Sequence, residues 1–118
     1  MAQVSVRPAS TSRDMAQVWS LRMQVFVQEQ GVPEKTEMDG LDDGAFHALA
    51  WRGDEAVGTG RLLWLPGGKA RIGRMAVMAD LRRQGIGDLI LGFLEREAKA
   101  HGVSVIELHA QSYVEAFY

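Results

Sequence analysis

Met75-Ala76-Val77-Met78-Ala79-Asp80-Leu81-Arg82-Arg83-Gln84-Gly85-Ile86-Gly87 is the stretch on which the reading of this chain turns. It opens as the end of an apolar strand, passes a short turn bearing two arginines, and sets two glycines one residue apart at the start of a long helical pattern. Such a helix start offers several backbone N–H groups without intrahelical partners, at the positive end of the helix dipole. A side chain in place of either glycine would hold an anion away from the backbone. Arg82 and Arg83 add positive charge, and a diphosphate is the ligand that suits the arrangement. Gly85 and Gly87 alone would better suit a tight strand-to-helix turn, since turn glycines are common. It is Arg-x-x-Gly-x-Gly between a strand and a helix that shifts the reading to phosphate. Two other phosphate motifs are excluded. The dinucleotide fingerprint needs a third glycine where Ile90 stands, and a P-loop needs Gly-Lys-Ser/Thr at a helix start, whereas Gly68-Lys69-Ala70 enters a strand.

Downstream, Ile86, Leu89, Ile90, Phe93, Leu94 and Ala98 fall at helical spacing, and His101-Gly102 ends the helix with a residue able to take the left-handed cap. Val103–His109 reads as a strand, so residues 70–109 form a β-α-β unit with parallel strands. Gln111 begins a further helix. Upstream lies an antiparallel meander of Ala45–Trp51, Ala56–Leu65 and Ala70–Val77, with turns at Arg52–Glu55 and Pro66–Lys69. Before it, residues 3–7 alternate as a short strand ended by Pro8. Thr11 or Ser12 caps a helix with Asp14 in its first turn. Met15, Val18, Trp19, Arg22, Val25 and Phe26 share one face of that helix, which Gly31-Val32-Pro33 terminates. The expected fold class is α+β (α/β): a mixed, mostly antiparallel sheet with a central β-α-β unit and helices on both faces.

The 118 residues suit one domain, 1–118. Apolar residues at 47% and charged residues at 24% are globular values, not those of a disordered chain. A formal charge of −2 gives no reason to expect nucleic acid or an anionic membrane as partner. Without cysteine there is no disulfide, thiolate nucleophile or Cys-based zinc site. No secretory signal or membrane-spanning stretch stands out, so the expected compartment is the cytoplasm. Residues 34–44 carry five acids against one lysine and read as a surface loop or short helix. They make a poor calcium site, because Leu41 and Ala50 stand at ligand positions of an EF-hand spaced from Asp39, Asp43 and Gly44. No metal is expected. Arg61, Arg71 and Arg74 lie on strands and are expected to form ion pairs with this acidic loop.

Arg82-Arg83-Gln84-Gly85-Ile86-Gly87 resembles the acetyl-CoA diphosphate loop of the GNAT acetyltransferases, Arg/Gln-x-x-Gly-x-Gly/Ala. Val25-Phe26-Val27-Gln28-Glu29-Gln30, Asp39-Gly40-x-Asp42, Ile72-Gly73-Arg74 and Ala110-Gln111 with Phe117-Tyr118 extend the resemblance to the ElaA/YjcF-like subgroup, over essentially the whole chain. The resemblance implies a GNAT-like fold and an N-acetyltransferase moving the acetyl group of acetyl-CoA directly to a primary amine, on a small molecule or peptide. It implies cofactor contacts at Met75, Ala76, Val77, Arg82, Arg83, Gln84, Gly85, Ile86, Gly87, Asp88 and Gln111, and places Tyr118 where a tyrosine often protonates the departing thiolate. Family members continue past Phe-Tyr into at least one more strand pair, which implies that this chain is C-terminally incomplete or that another chain completes its sheet, as in a homodimer.

Acyl transfer to an amine needs a neutral amine, donors for the developing oxyanion and a proton for the thiolate. Tyr118 is the candidate acid, against a packing role for a half-buried aromatic. The base stays open. Glu107 and His109 share a strand face near the cofactor, or simply meet water at a strand end. His47 lies mid-strand, as a base or as a hydrogen-bonded core residue. His101 at a helix C-terminus complements the dipole. The alternative to an enzyme is an acetyl-CoA-binding or interaction module without turnover.

Overall fold

The structure, a computed structural model, describes residues 3–33 and 40–108. The chain opens with β1 (Val4–Pro8), followed by α1 (Ser12–Arg22). Thr11 and Asp14 close a reciprocal capping box: Asp14 N–H donates to Thr11 Oγ1 at 3.0 Å, and Asp14 Oδ2 accepts from Thr11 N–H at 3.3 Å. Sequence periodicity suggests a continuous α-helix to Gly31, but the structure departs from it. From Met23 to Glu29 the turns widen into a π-helix, and Gln30 N–H donates to Val25 C=O at 3.1 Å. Such segments are rare and need packing to hold them. Here Val25 and Phe26 are buried in one cluster with Ala76.

An antiparallel meander follows: β2 (Phe46–Arg52), β3 (Glu55–Leu65) and β4 (Lys69–Val77). Then come a short 3₁₀ turn (Ala79–Leu81), α2 (Ile86–Ala100) and β5 (Val105–Leu108). The five strands lie in the order β1-β2-β3-β4-β5, antiparallel except for the β4–β5 pair, which is parallel in register Lys69↔Val105 to Ile72↔Leu108. The mixed, mostly antiparallel sheet expected from the sequence is thus observed, with strand ends adjusted by a residue or two. The described part of β5 is shorter than Val103–His109, and Val105 and Leu108 are about half exposed (48% and 49%). Among the described residues no helix is long and apolar enough to cross a membrane.

The two faces of the sheet are built differently. On one, α2 buries Ile86, Ile90, Leu94 and Ala98 at strict four-residue spacing against Ala48, Ala50, Leu62, Ala70 and Ile72. Each large aliphatic side chain so removed from water stabilises by roughly 1.5–3 kcal/mol. Close approach of α2 depends on β3. A Cβ at Gly60 would lie 2.7 Å from Met75 Sδ and 2.8 Å from Ile90 Cγ2, and one at Gly58 2.9 Å from Ile90 Cδ1.

On the other face, Val18, Leu21, Leu49 and Ala56 form a small apolar cluster beside an ionic one. Arg22, on the apolar stripe of α1, is wholly buried (0% exposed) with its guanidinium 4.6 Å from the Trp19 ring. Arg61, mid-β3, is also buried. Both donate to the same oxygen, Asp42 Oδ1, at 2.8 and 3.1 Å. Arg61 therefore does pair with the acidic loop, as expected. Arg71 does not: it pairs across the parallel ladder with Glu107, Nη2 to Oε1 at 3.1 Å, because Arg71 and Glu107 stand opposite each other in the register.

Burial alone would raise the Asp42 pKa, but hydrogen bonds and charge from Arg22 and then Arg61 outweigh it and hold the carboxyl below its ordinary range. Removing that carboxylate takes from both buried guanidiniums the oxygen that they share. We expect Asp42→Ala to lower unfolding stability by on the order of 3 kcal/mol, measured by denaturant titration. A loss within experimental error would show that the two arginines find other partners at little cost.

Candidate functional site

The site candidate is built where β4 ends and α2 begins. β4 is not regular. Thr59↔Ala76 and Arg61↔Gly73 bracket a register shift, so that Arg74 and Met75 together oppose Gly60. Arg74 takes φ +52, a left-handed conformation uncommon for a side-chain-bearing residue. The bulge lies just beyond the last described β4–β5 pair, Ile72↔Leu108. Gly73–Val77 therefore extends past the described parallel ladder. The side chains of Met75, Ala76 and Val77 are buried in the core, so it is their backbone that this segment offers a ligand.

The chain then turns through the 3₁₀ segment, with Leu81 buried as its anchor. Arg83 (φ +66) and Gly85 (φ +83) are both left-handed. Gly85 is the N-cap of α2, makes no side-chain cap, and its carbonyl accepts the first helical bond from Leu89 N–H at 3.1 Å. The N–H groups of Ile86, Gly87 and Asp88 precede that bond and have no intrahelical acceptor. Ile86 is buried and roots the helix in the core, Gly87 is half-buried, and Arg83, Gln84, Gly85 and Asp88 are exposed. A Cβ built on Gly85 meets nothing within 4 Å, so a bulky anion has room there. Asp88, a carboxylate in the first turn, complements the dipole; what it could give an anion is its N–H.

Arg82 is placed differently from Arg83. Its Nε donates to Val77 C=O at 3.1 Å, Nη2 donates to Glu29 Oε1 at 2.8 Å, and Nη1 bonds Glu29 Oε2, forming a two-pronged fork. The Arg82 hydrogen bond, and then its charge, hold the Glu29 carboxyl below its ordinary range against a partial desolvation that would raise it. Glu29 thus adjoins the loop, a relation that sequence reading missed. Its only signal lay in the shared family text around Val25–Gln30, which gives no partner.

Neither of the described acid–base candidates, Glu107 and His47, stands at this strand end. Glu107 sits beside Arg71, four residues before Met75, or about 13 Å along the strand. His47 lies on β2 opposite Arg61, which itself lies opposite Gly73, two strand spacings (about 10 Å) from β4. It is 4% exposed, and its Nε2 lies 3.0 Å from the Asp42 carbonyl oxygen. Since that oxygen can only accept, Nε2 carries the proton. Nδ1 is buried without a hydrogen-bond partner among the described residues. Tyr118, Gln111 and His109 lie outside the described residues. Among those described, no group of three or more His, Asp or Glu side chains is gathered as for a metal ion.

A family model described as the acetyltransferase (GNAT) family matches residues 13–118. The chain belongs to the GNAT acetyltransferase family. It is 32% identical over 111 residues to the uncharacterized N-acetyltransferase YjcF of Bacillus subtilis (strain 168), covering 93% of this chain and 78% of that one. Among solved structures it is similar to Escherichia coli ElaA (26% identity, TM-score 0.82, covering 100% of this chain and 84% of that chain). It is also similar to an acyl-CoA N-acyltransferase from Pseudomonas aeruginosa (28% identity, TM-score 0.82, covering 100% and 85%).

Burial lowers the His47 pKa from its ordinary 6.5, more than the Asp42 carbonyl and carboxylate raise it, and the positive charges of Arg22 and Arg61 lower it further. A histidine whose folded pKa is depressed is protonated more readily in the unfolded chain. Its contribution to stability is full above the unfolded value and is lost as pH falls below it. We expect the melting temperature to drop as pH is lowered from about 6.5 to 5, and the drop to shrink in His47→Gln. An equal pH dependence in that variant would assign the effect to other groups.

Proposed function

We propose that this chain is an N-acetyltransferase that moves the acetyl group of acetyl-CoA directly to a primary amine on a small-molecule or peptide acceptor, in the cytoplasm. The observation that carries the reading is the juxtaposition of an open, glycine-initiated helix N-terminus with the bulged C-terminal end of β4. In this reading the N–H groups from Arg83 to Asp88, with the loop begun by Arg82, receive the diphosphate, and Gln84 and Arg83 border it. The backbone of Met75, Ala76 and Val77 lies along the pantetheine arm. Acetyl-CoA supplies an activated acyl carbon. The amine nitrogen forms a bond to that carbon, the carbon–sulfur bond breaks, the amine loses a proton and the thiolate gains one. Backbone N–H groups near the bulge would stabilise the oxygen that gains charge. Tyr118 would supply the thiolate proton, and Gln111 would border the cofactor on the adjoining segment.

A second reading, a CoA-binding module without turnover, is favoured by one observation: both described acid–base candidates are engaged elsewhere. Glu107 is ion-paired with Arg71, and His47 is buried against the Asp42 carbonyl. Thiol release from acetyl-CoA over a panel of amines, run beside calorimetric CoA binding, separates the two. Binding without thiol release supports the module.

Gly87→Asp sets a second carboxylate where the diphosphate would lie, beside Asp88 in the first turn. CoA binding is expected to be lost in a folded protein, and unchanged affinity would remove the loop from the cofactor site. Tyr118→Phe is expected to lower kcat by on the order of 10²-fold with a smaller change in the KM for acetyl-CoA. Wild-type kcat across the pH range would return Tyr118 to packing.

A further inference from the structure

Three elements that are distant in sequence meet at Arg82. Its Nε holds the carbonyl of Val77, the last residue of β4, and its two Nη atoms hold both oxygens of Glu29, the last residue of the π-helix. The same π-helix packs Val25 and Phe26 with Ala76, one residue before Val77. The wide turn therefore touches β4 through hydrocarbon and reaches the loop through a carboxylate. Directly after Arg82 comes Arg83 at φ +66. A left-handed conformation is strained for a side-chain-bearing residue and persists only where its flanks are held. On one side α2 holds them, through buried Ile86; on the other, Arg82 is the fixed point.

We propose that Glu29 is a positioning residue for the cofactor loop. By fixing the Arg82 guanidinium, it holds the left-handed Arg83–Gly85 turn in the shape that presents the helix N–H groups to a diphosphate. The role rests on the reading of this loop as the acetyl-CoA site. The fork is partly exposed, at 24% for the Arg82 side chain and 37% for that of Glu29, and exposed ion pairs contribute little to global stability. Its effect belongs to the loop. Because the fork takes up the guanidinium, Arg82 acts on the ligand through the backbone that it fixes, and the exposed cation of the loop is Arg83.

The test is a double-mutant cycle with Glu29→Ala, Arg82→Gln and the double variant, titrated with CoA by calorimetry. Glu29→Ala is expected to weaken CoA binding about tenfold, Arg82→Gln by a similar factor, and the double variant by no more than the worse single change. The KM for acetyl-CoA should rise with kcat nearly unchanged, while turnover with S-acetyl-pantetheine, which lacks the diphosphate, should be unaffected. A general loss of structure would lower both substrates alike, and a melting curve on each variant reads it directly. Unchanged or tighter CoA binding in folded Glu29→Ala would overturn the role, as would additive losses, which would mean that Arg82 meets the ligand itself. In either case the loss of binding in Gly87→Asp would leave the proposed function standing. Absence of CoA binding by the wild-type chain would overturn both.

Discussion

Asp42 takes hydrogen bonds from two buried guanidinium groups on a single carboxylate oxygen. Arg22 occupies the apolar stripe of α1, between Val18 one turn before and Val25 and Phe26 one turn after, and Arg61 lies mid-β3 in a buried stretch whose other polar side chain is Thr59. Either cation alone in the interior would cost several kcal/mol. Placed on one carboxylate oxygen, they link α1, the loop after it and the centre of the sheet. His47 completes the arrangement without charge, by donating to the backbone of the same aspartate. α1 and its π-helical extension are thus held to the sheet by a polar cluster as well as by hydrocarbon.

That attachment matters at a distance. The π-helix continues directly from Arg22, and its last residue is the one that grips Arg82. The opposite face uses other means: α2 is held by aliphatic side chains over two glycines of β3, an arrangement with few ways to shift without leaving a void or a clash. One side of the loop is therefore rooted in a close-packed helix and the other in an ion pair at the end of a wide turn. The β4 bulge lies between them, just past the last described pair with β5.

The parts legible in the sequence were those with a regular period or a punctuating residue. The four-residue spacing of Ile86, Ile90, Leu94 and Ala98 marks α2, alternation bounded by glycine turns marks the meander, and Gly85 and Gly87 mark the loop. The bulge was not legible, since nothing in Arg74-Met75 announces a left-handed arginine opposite Gly60. The π-helix was not either, because apolar spacing around Val25 and Phe26 looks the same whether carbonyls bond four or five residues on. Asp42 was hidden in an acidic run that reads as surface. Its signal lay elsewhere, in two arginines at apolar positions that required a buried anion. Glu29 carried no comparable signal, because the residue it meets is 53 positions away and only the tertiary fold joins them.

Charge is distributed in a way that bears on how the loop could recognise an anion. Among the described residues, Arg22 and Arg61 are committed to Asp42, Arg71 to Glu107 and Arg82 to Glu29. What the loop leaves exposed is Arg83, beside a row of backbone N–H groups without intrahelical acceptors. Fixed dipoles need little reorganisation when a ligand arrives, unlike long side chains that must be immobilised. Their strength depends on alignment, however, since an N–H pointing away contributes nothing. A site built from backbone therefore transfers the burden of recognition from the residues that touch the ligand to those that hold the turn. In this chain those residues come from the start of α2, the end of β4 and the end of the π-helix: Ile86, Val77 and, through Arg82, Glu29.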